Sequence, residues 1–240
     1  MNKDTLGDRM KSYERAYKYV LTPRTPVVIR VDGKAFHTYT RGLQPFDPAL
    51  MSMMDAAAKE ICKQVSGAQI AYVQSDEISI LLHYYKKFNS QPYFDNQLQK
   101  LASVTASIAT ATATMESLKV FGKYKPAMFD SRVFTLPEDE VCNYFLWRQQ
   151  DWTRNSVQML ARSLYSHKEC NNKNNSELQE MCFAKGKNWD KLPTSHKRGR
   201  CIRYYEVNGW EPAGWQVDQE IPKFSEDREY INSLMTREEG

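Results

Sequence analysis

An Asp-Gly step closing one short apolar run, and a pair of acids joining two more, restrict what this chain can fold into. Val27-Val28-Ile29 leads into Arg30-Val31-Asp32-Gly33-Lys34-Ala35-Phe36-His37. Ile70-Ala71-Tyr72-Val73 and Ile78-Ser79-Ile80-Leu81-Leu82 flank Gln74-Ser75-Asp76-Glu77. Short β-branched and aromatic runs bounded by turn residues read as strands. If the three strands are neighbours, Asp32 and Asp76 meet at one end of a sheet. Two facing carboxylates beside a glycine turn can hold Mg²⁺ against a nucleoside triphosphate. The pattern therefore points to nucleotidyl transfer.

Helices fall between these strands. Thr5 to Val20 mixes charged and aromatic residues and reads as a short helix ended before Pro23. Asp47-Pro48 is a helix start, an N-cap acid with proline at the first helical position. Leu50, Met54, Ala57, Ile61 and Val65 follow at helical spacing as a core stripe, with Gly67 beyond them. A long helix is expected over Asp95 to Leu118, rich in Ala, Thr and Ser, and a fourth strand over Met128 to Thr135.

The expected order is β-α-β-β-α-β, a ferredoxin-like unit of the α+β class, the palm of nucleic-acid polymerases and nucleotide cyclases. Residues 1–136 read as this palm. Residues 137–240 read as a helical and hairpin part packed on it. Within that part, helix is expected to about Ser166, a short helix over Leu178 to Lys185 and a basic hairpin over Leu192 to Tyr205. A Trp-containing polar tail, Glu206 to Gly240, is expected to wrap the body before a last helix near Asp227 to Leu234.

The 240 residues are 41% hydrophobic and 12% aromatic, which argues against wholesale disorder. The formal charge of +4 permits nucleic-acid binding without demanding it. No stretch approaches the roughly 18 apolar residues of a membrane span, and Met1 to Met10 has no signal-like apolar region. The five cysteines lack CxxC spacing, so zinc is poorly supported and free thiols in a reducing cytoplasm are expected.

Plainer readings stand beside these. Asp-Gly after a strand is usually a turn, and Ser-Asp-Glu can be a solvated hairpin tip. Their coincidence at one sheet end favours a site. His37 can be a loop histidine, Lys100 a solvated helix lysine, and Arg132 and Arg148 structural partners of acids. Lys197, Arg198, Arg200 and Arg203 form a cationic run beside Tyr204 and Tyr205. It serves either as a protected sheet edge or as an RNA contact with stacking tyrosines.

Arg-x-Asp-Gly-x-x-Phe-His, Gln-Ser-Asp-Glu, Phe129-Asp130-Ser131-Arg132 and Trp147-Arg148-Gln149-Gln150-Asp151 occur together in this order. The set resembles the tRNA(His) guanylyltransferase family, polymerases that extend RNA in the 3′-to-5′ direction, over roughly Leu6 to Arg203. The resemblance implies that Asp32 and Asp76, with the carbonyl of Gly33, hold two Mg²⁺ ions, and that Glu77 assists as a third catalytic acid. It implies that Asp32, Gly33, Lys34, Ala35, Phe36 and His37, with Ser75 and Asp76, wrap the triphosphate of GTP or ATP. Lys100 would face the phosphates. Arg154, Asn155, Lys197, Arg198 and Arg200 are the expected tRNA contacts. A homotetramer, a dimer of dimers, is implied as well.

Two departures refine the resemblance. Eukaryotic members usually read His-Ile-Asn-Asn where this chain has Thr153-Arg154-Asn155-Ser156. That segment is tied to guanylation of tRNA(His), so its loss points to the bacterial and archaeal guanylyltransferase-like branch, whose members look like template-directed repair polymerases for 5′-truncated tRNAs. Gln44 also stands where lysine is frequent. A nucleotide cyclase or dinucleotide synthase on the same palm, and a non-catalytic tRNA-binding protein, are the alternative readings.

Overall fold

Asp47 accepts hydrogen bonds from the backbone N–H groups of Ala49 and Leu50, both 3.0 Å, and so caps the first long helix at the expected place. The computed structural model describes residues 5–87, 89–206 and 213–236. Its first half runs α1 (Leu6–Ala16), β1 (Val27–Gly33), α2 (Phe36–Tyr39), α3 (Pro48–Gln64), β2 (Ala68–Gln74), β3 (Glu77–Leu82), α4 (Leu98–Phe121) and β4 (Phe129–Thr135). The four strands pair antiparallel in the order β4-β1-β3-β2, the ferredoxin-like arrangement.

The second half runs α5 (Val141–Leu164), α6 (His167–Cys170), α7 (Asn175–Ala184), α8 (Thr194–Arg198), β5 (Arg200–Tyr205), β6 (Gly214–Asp218) and α9 (Glu229–Asn232). The sheet does not stop at the palm. β5 adds to the free edge of β2, and β6 adds to β5, giving six strands. The basic hairpin expected over Leu192 to Tyr205 is corrected here. Thr194–Arg198 forms a helical turn, and only the residues after Gly199 are strand. Gly199 explains the break: its φ is +81°, and a Cβ there would crowd the Tyr72 ring and the Val73 carbonyl. The tail expected to wrap the body includes residues 207–212 and 237–240, which lie outside the described residues.

Both sheet faces are covered. Ile29, Val31, Met54, Ala57, Ile61 and Leu101 form the core between the sheet and α3 and α4. Val28, Tyr72, Leu81, Phe145, Phe224 and Ile231 form the core under α5 and the C-terminal segment. The small-residue face of α4 lets it lie close to β4. Thr105 meets the Ser131 hydroxyl at 3.0 Å, while Thr110 and Thr114 accept from the backbone N–H of Phe129 and Ala127. Among the described residues, no helix is long and apolar enough to cross a membrane.

Candidate active site

β1 ends where its neighbours also carry acids. Asp32 stands opposite Glu77 on β3 and Asp130 on β4, and directly opposed residues share a sheet face. Asp76 sits in the two-residue turn between β2 and β3. The backbone N–H of Gly33 donates to the Asp76 carbonyl at 3.1 Å, which ties the loop after β1 to that turn. The sheet thus brings Asp32, Gly33, Ser75, Asp76 and Glu77 to one corner.

The backbone at this corner is held in unusual conformations. Ala35 and Ser75 are non-glycine residues with φ of 55° and 46°. Such positions cost about 1–3 kcal/mol and persist where surrounding structure enforces them. Phe36 does the enforcing on one side. It is buried, stacked on Tyr39 at 4.7 Å and packed on Phe129 at 5.1 Å. A Cβ at Gly33 would run into the Phe36 ring. Gly33→Ala should therefore displace that ring, lower stability by about 1–3 kcal/mol and raise KM for the nucleotide. A melting curve and a GTP titration check both.

Both carboxylates sit above their ordinary range, although Ser75 and a backbone N–H hydrogen-bond to Asp76. Burial pushes Asp76 up to about 6, and the charges of Asp32 and Glu77 add to this. Burial raises Asp32 too, followed by the repulsion of Glu77 and Asp130 and opposed by Arg30 and Arg132. Glu77 is different. Its carboxylate takes a bidentate pair of bonds from Arg148, 2.7 Å from Nε and 2.6 Å from Nη2, with further bonds from Gln74 and Ser79. Arg148 thus acts as the structural partner that one sequence reading allowed. Among the described residues, no three His, Cys, Asp or Glu side chains form a metal cage. Two desolvated, hard-oxygen donors are what a Mg²⁺ that keeps its waters and phosphate ligands needs.

The corner opens into a cavity of about 430 Å³, a size that accepts a nucleotide. Phe36, His37, Ser75 and Asp76 line one part, and Phe46, Trp152 and Arg162 another. Phe46 has φ of 56° and is stacked on His196 at 4.6 Å, with Trp152 edge-on at 6.2 Å. Phe46, Trp152 and Arg162 were not legible as site residues in the sequence. Gln44, the departure from the family's lysine, also lines the cavity. Lys34 and Ala35 are exposed beside it.

Asp32 and Gly33 stand outside the cavity lining, as do most other expected site residues, whereas Arg200 is part of it. Lys100 does not line the cavity; its ammonium lies 5.4 Å from the Phe94 ring. The helix register explains this correction. Thr110 contacts Phe129 and Thr105 contacts Ser131, so α4 runs away from Asp32 toward its own N-terminus. Arg200 is corrected as a surface RNA contact. It is 2% exposed, and its Nε donates to Asp55 at 2.7 Å, because β5 is an inner strand and turns this side chain toward α3. Arg154 and Asn155 are exposed and both bond Asp151. Lys197 and Arg198 are half-buried, donating to the carbonyls of Asp190 and Ile221. Arg203 lies over the Tyr230 ring.

Comparison with known proteins gives one answer. The family model for tRNAHis guanylyltransferase matches residues 7–137. A bacterial tRNA(His) guanylyltransferase-like protein solved in complex with ATP is 42% identical, with a TM-score of 0.90, covering 96% of this chain and 99% of that one. A structure described in the same words, in complex with GTP, is 41% identical with a TM-score of 0.82, covering 96% and 98%. A probable tRNA(His) guanylyltransferase of Dictyostelium discoideum is 28% identical over 211 residues, 80% of each chain. With the acid corner, the palm and the matched segment agreeing, this chain belongs to the tRNAHis guanylyltransferase family and is a nucleotidyltransferase.

Proposed function

We propose that this protein adds nucleotides to the 5′ end of tRNA in the 3′-to-5′ direction, templated by the opposite strand. The observation that carries the reading is the corner that brings the Asp32 charge close enough to raise the Asp76 carboxyl, with Asp76 itself lining a nucleotide-sized cavity. The relatives solved in complex with ATP and GTP support nucleotide binding by this chain. The 3′-hydroxyl of the incoming nucleotide forms a bond to the 5′ phosphorus of the RNA. The bond to pyrophosphate breaks, or the bond to AMP where a 5′-monophosphate was first activated by ATP.

Asp32, Asp76 and the Gly33 carbonyl would hold Mg²⁺, which supplies charge neutralisation at phosphate and activation of the attacking hydroxyl. The 33–37 loop, braced by Phe36, orients the triphosphate. Phe46 and Trp152 offer apolar surface to the base. Glu77 acts through position: gripped by Arg148, it fixes the end of β3 beside Asp32. The same proposal includes a cytoplasmic location and assembly as a dimer of dimers.

Repair of truncated tRNA is favoured over guanylation of tRNA(His). In the Thr153-Arg154-Asn155-Ser156 segment, Ser156 is fully buried and its hydroxyl accepts from the Trp189 indole at 3.0 Å. Thr153 donates back to the Gln149 carbonyl at 3.0 Å. Half of the segment is therefore engaged in internal structure. Incubation with GTP and Mg²⁺ alone tests the cyclase alternative: no cyclic or dinucleotide product is expected without RNA, and such a product would overturn the reading.

A pH effect follows from Asp76. Mg²⁺ needs the carboxylate, which in the metal-free protein takes up a proton near pH 6. Mg²⁺ should raise Tm at pH 7.5 and do so much less at pH 5. Equal Mg²⁺ shifts at both values would contradict the assignment.

A further inference from the structure

α5 separates two sites. Trp152, Met159 and Ser163 face the nucleotide cavity, whereas Trp147, Gln150 and Arg154 line a second groove of about 760 Å³. At 3.6 residues per turn these two sets lie on opposite sides of the helix. We propose that this second groove docks an unpaired segment of the tRNA, with Trp147 as the platform on which a base stacks. The proposal rests on the nucleotidyl-transfer reading and adds to it where the RNA lies.

The groove has the chemistry of a nucleic-acid strand site. Arg154, Lys197, Arg198 and Lys223 line it with one acid, Asp190; at its edge Arg154 pairs with Asp151 and Lys223 with Glu226, both at 2.8 Å, exposed pairs that a phosphate can replace. Lys197 is held to the carbonyl of Asp190 rather than to its carboxylate, so its charge is not neutralised there. Two indoles, Trp147 and Trp189, sit among these cations. Aromatic faces within a cationic groove are how single strands are held without reading sequence. Trp147 is 50% exposed, a large apolar surface left in water unless a ring covers it.

A chain of contacts joins the groove to the acid corner. The Arg148 guanidinium lies 4.5 Å from the Trp147 ring centroid. The same guanidinium grips Glu77, whose cross-strand partner is Asp32. Arg30 and Arg132, opposed on β1 and β4 two residues before and after the acid row, share its sheet face. Both act on the Asp32 carboxylate, and Arg132 also pairs with Asp130 at 3.7 Å. RNA arriving along this face would meet a nucleotide held on the other side of α5.

The test uses the full chain, a 5′-truncated tRNA and two variants. R154E/K223E changes two exposed side chains at 60% and 52% exposure, so folding should be retained. It should raise KM for the tRNA at least tenfold and flatten the slope of log affinity against log salt by about 1.4–1.8. KM for GTP should stay within twofold. W147A should weaken tRNA binding about tenfold, with W147F restoring most of it. Unchanged tRNA affinity and salt slope in R154E/K223E, while the wild type still extends tRNA, would overturn the groove assignment alone, and would do so even if W147A failed to fold. A wild type that binds an acidic protein surface but no RNA there would also overturn it. A wild type that extends no RNA at all would instead sink the functional reading beneath it.

Discussion

Asp76→Asn is expected to abolish nucleotide addition, with a loss of at least about a thousandfold, while the protein stays folded. The magnitude follows from removing a charge that acts where charge develops in the transition state. The stability effect has a sign that distinguishes this acid from an ordinary salt-bridged one. The folded-state value of Asp76 is raised to about 6 from 3.8. A raised acid binds its proton more tightly folded than unfolded, so stability from this group is present below the unfolded value and lost as pH rises through 6. Without Mg²⁺ at pH 7.5, the wild type carries this penalty and Asp76→Asn does not. The variant should therefore melt at or above the wild-type temperature in EDTA at pH 7.5, and the difference should vanish near pH 4. A variant that loses stability and activity together would make Asp76 a structural acid.

Arg148→Ala should be the most destabilising of the changes considered. The Arg148–Glu77 pair is bidentate, and the two side chains are 9% and 10% exposed. Removing one member leaves the other charge buried and uncompensated, which costs roughly 3–5 kcal/mol. Lysine cannot reproduce the two-pronged geometry, so Arg148→Lys should recover only part of the loss. Urea unfolding of the three proteins measures this. A cost under about 1 kcal/mol would place the pair in the class of exposed ion pairs. Activity should fall with stability, because Glu77 anchors the strand end facing Asp32.

The palm was legible because its signals are local. Asp47-Pro48 announces a helix start, and the stripe from Met54 to Val65 is buried as its spacing demands. Strand runs broken by Asp32-Gly33 and Ser75-Asp76 pair in the register that unites those acids. The resemblance to the guanylyltransferase family was carried by these same motifs and is matched over residues 7–137. What escaped the sequence was long-range. Arg200 reads as one cation in a basic run, yet its partner Asp55 is 145 residues away on α3. Lys100 lies on the expected helix, but the register of α4 against β4, set by Thr105, Thr110 and Thr114, carries it away from the acid corner. Phe46, Trp152 and Arg162 carry no motif, and only the fold gathers them into one cavity. The turn at Gly199 hid β5 within a basic run, and with it the extension of the sheet beyond the palm.

The central claim is tested most directly by nucleotide addition to two labelled RNAs, a 5′-triphosphorylated tRNA lacking its first nucleotide and full-length tRNA(His), with GTP, ATP and Mg²⁺. Extension of the truncated tRNA by the nucleotide that pairs with its 3′ strand is the predicted result. Failure to extend it, by a folded protein that binds GTP, would contradict the account.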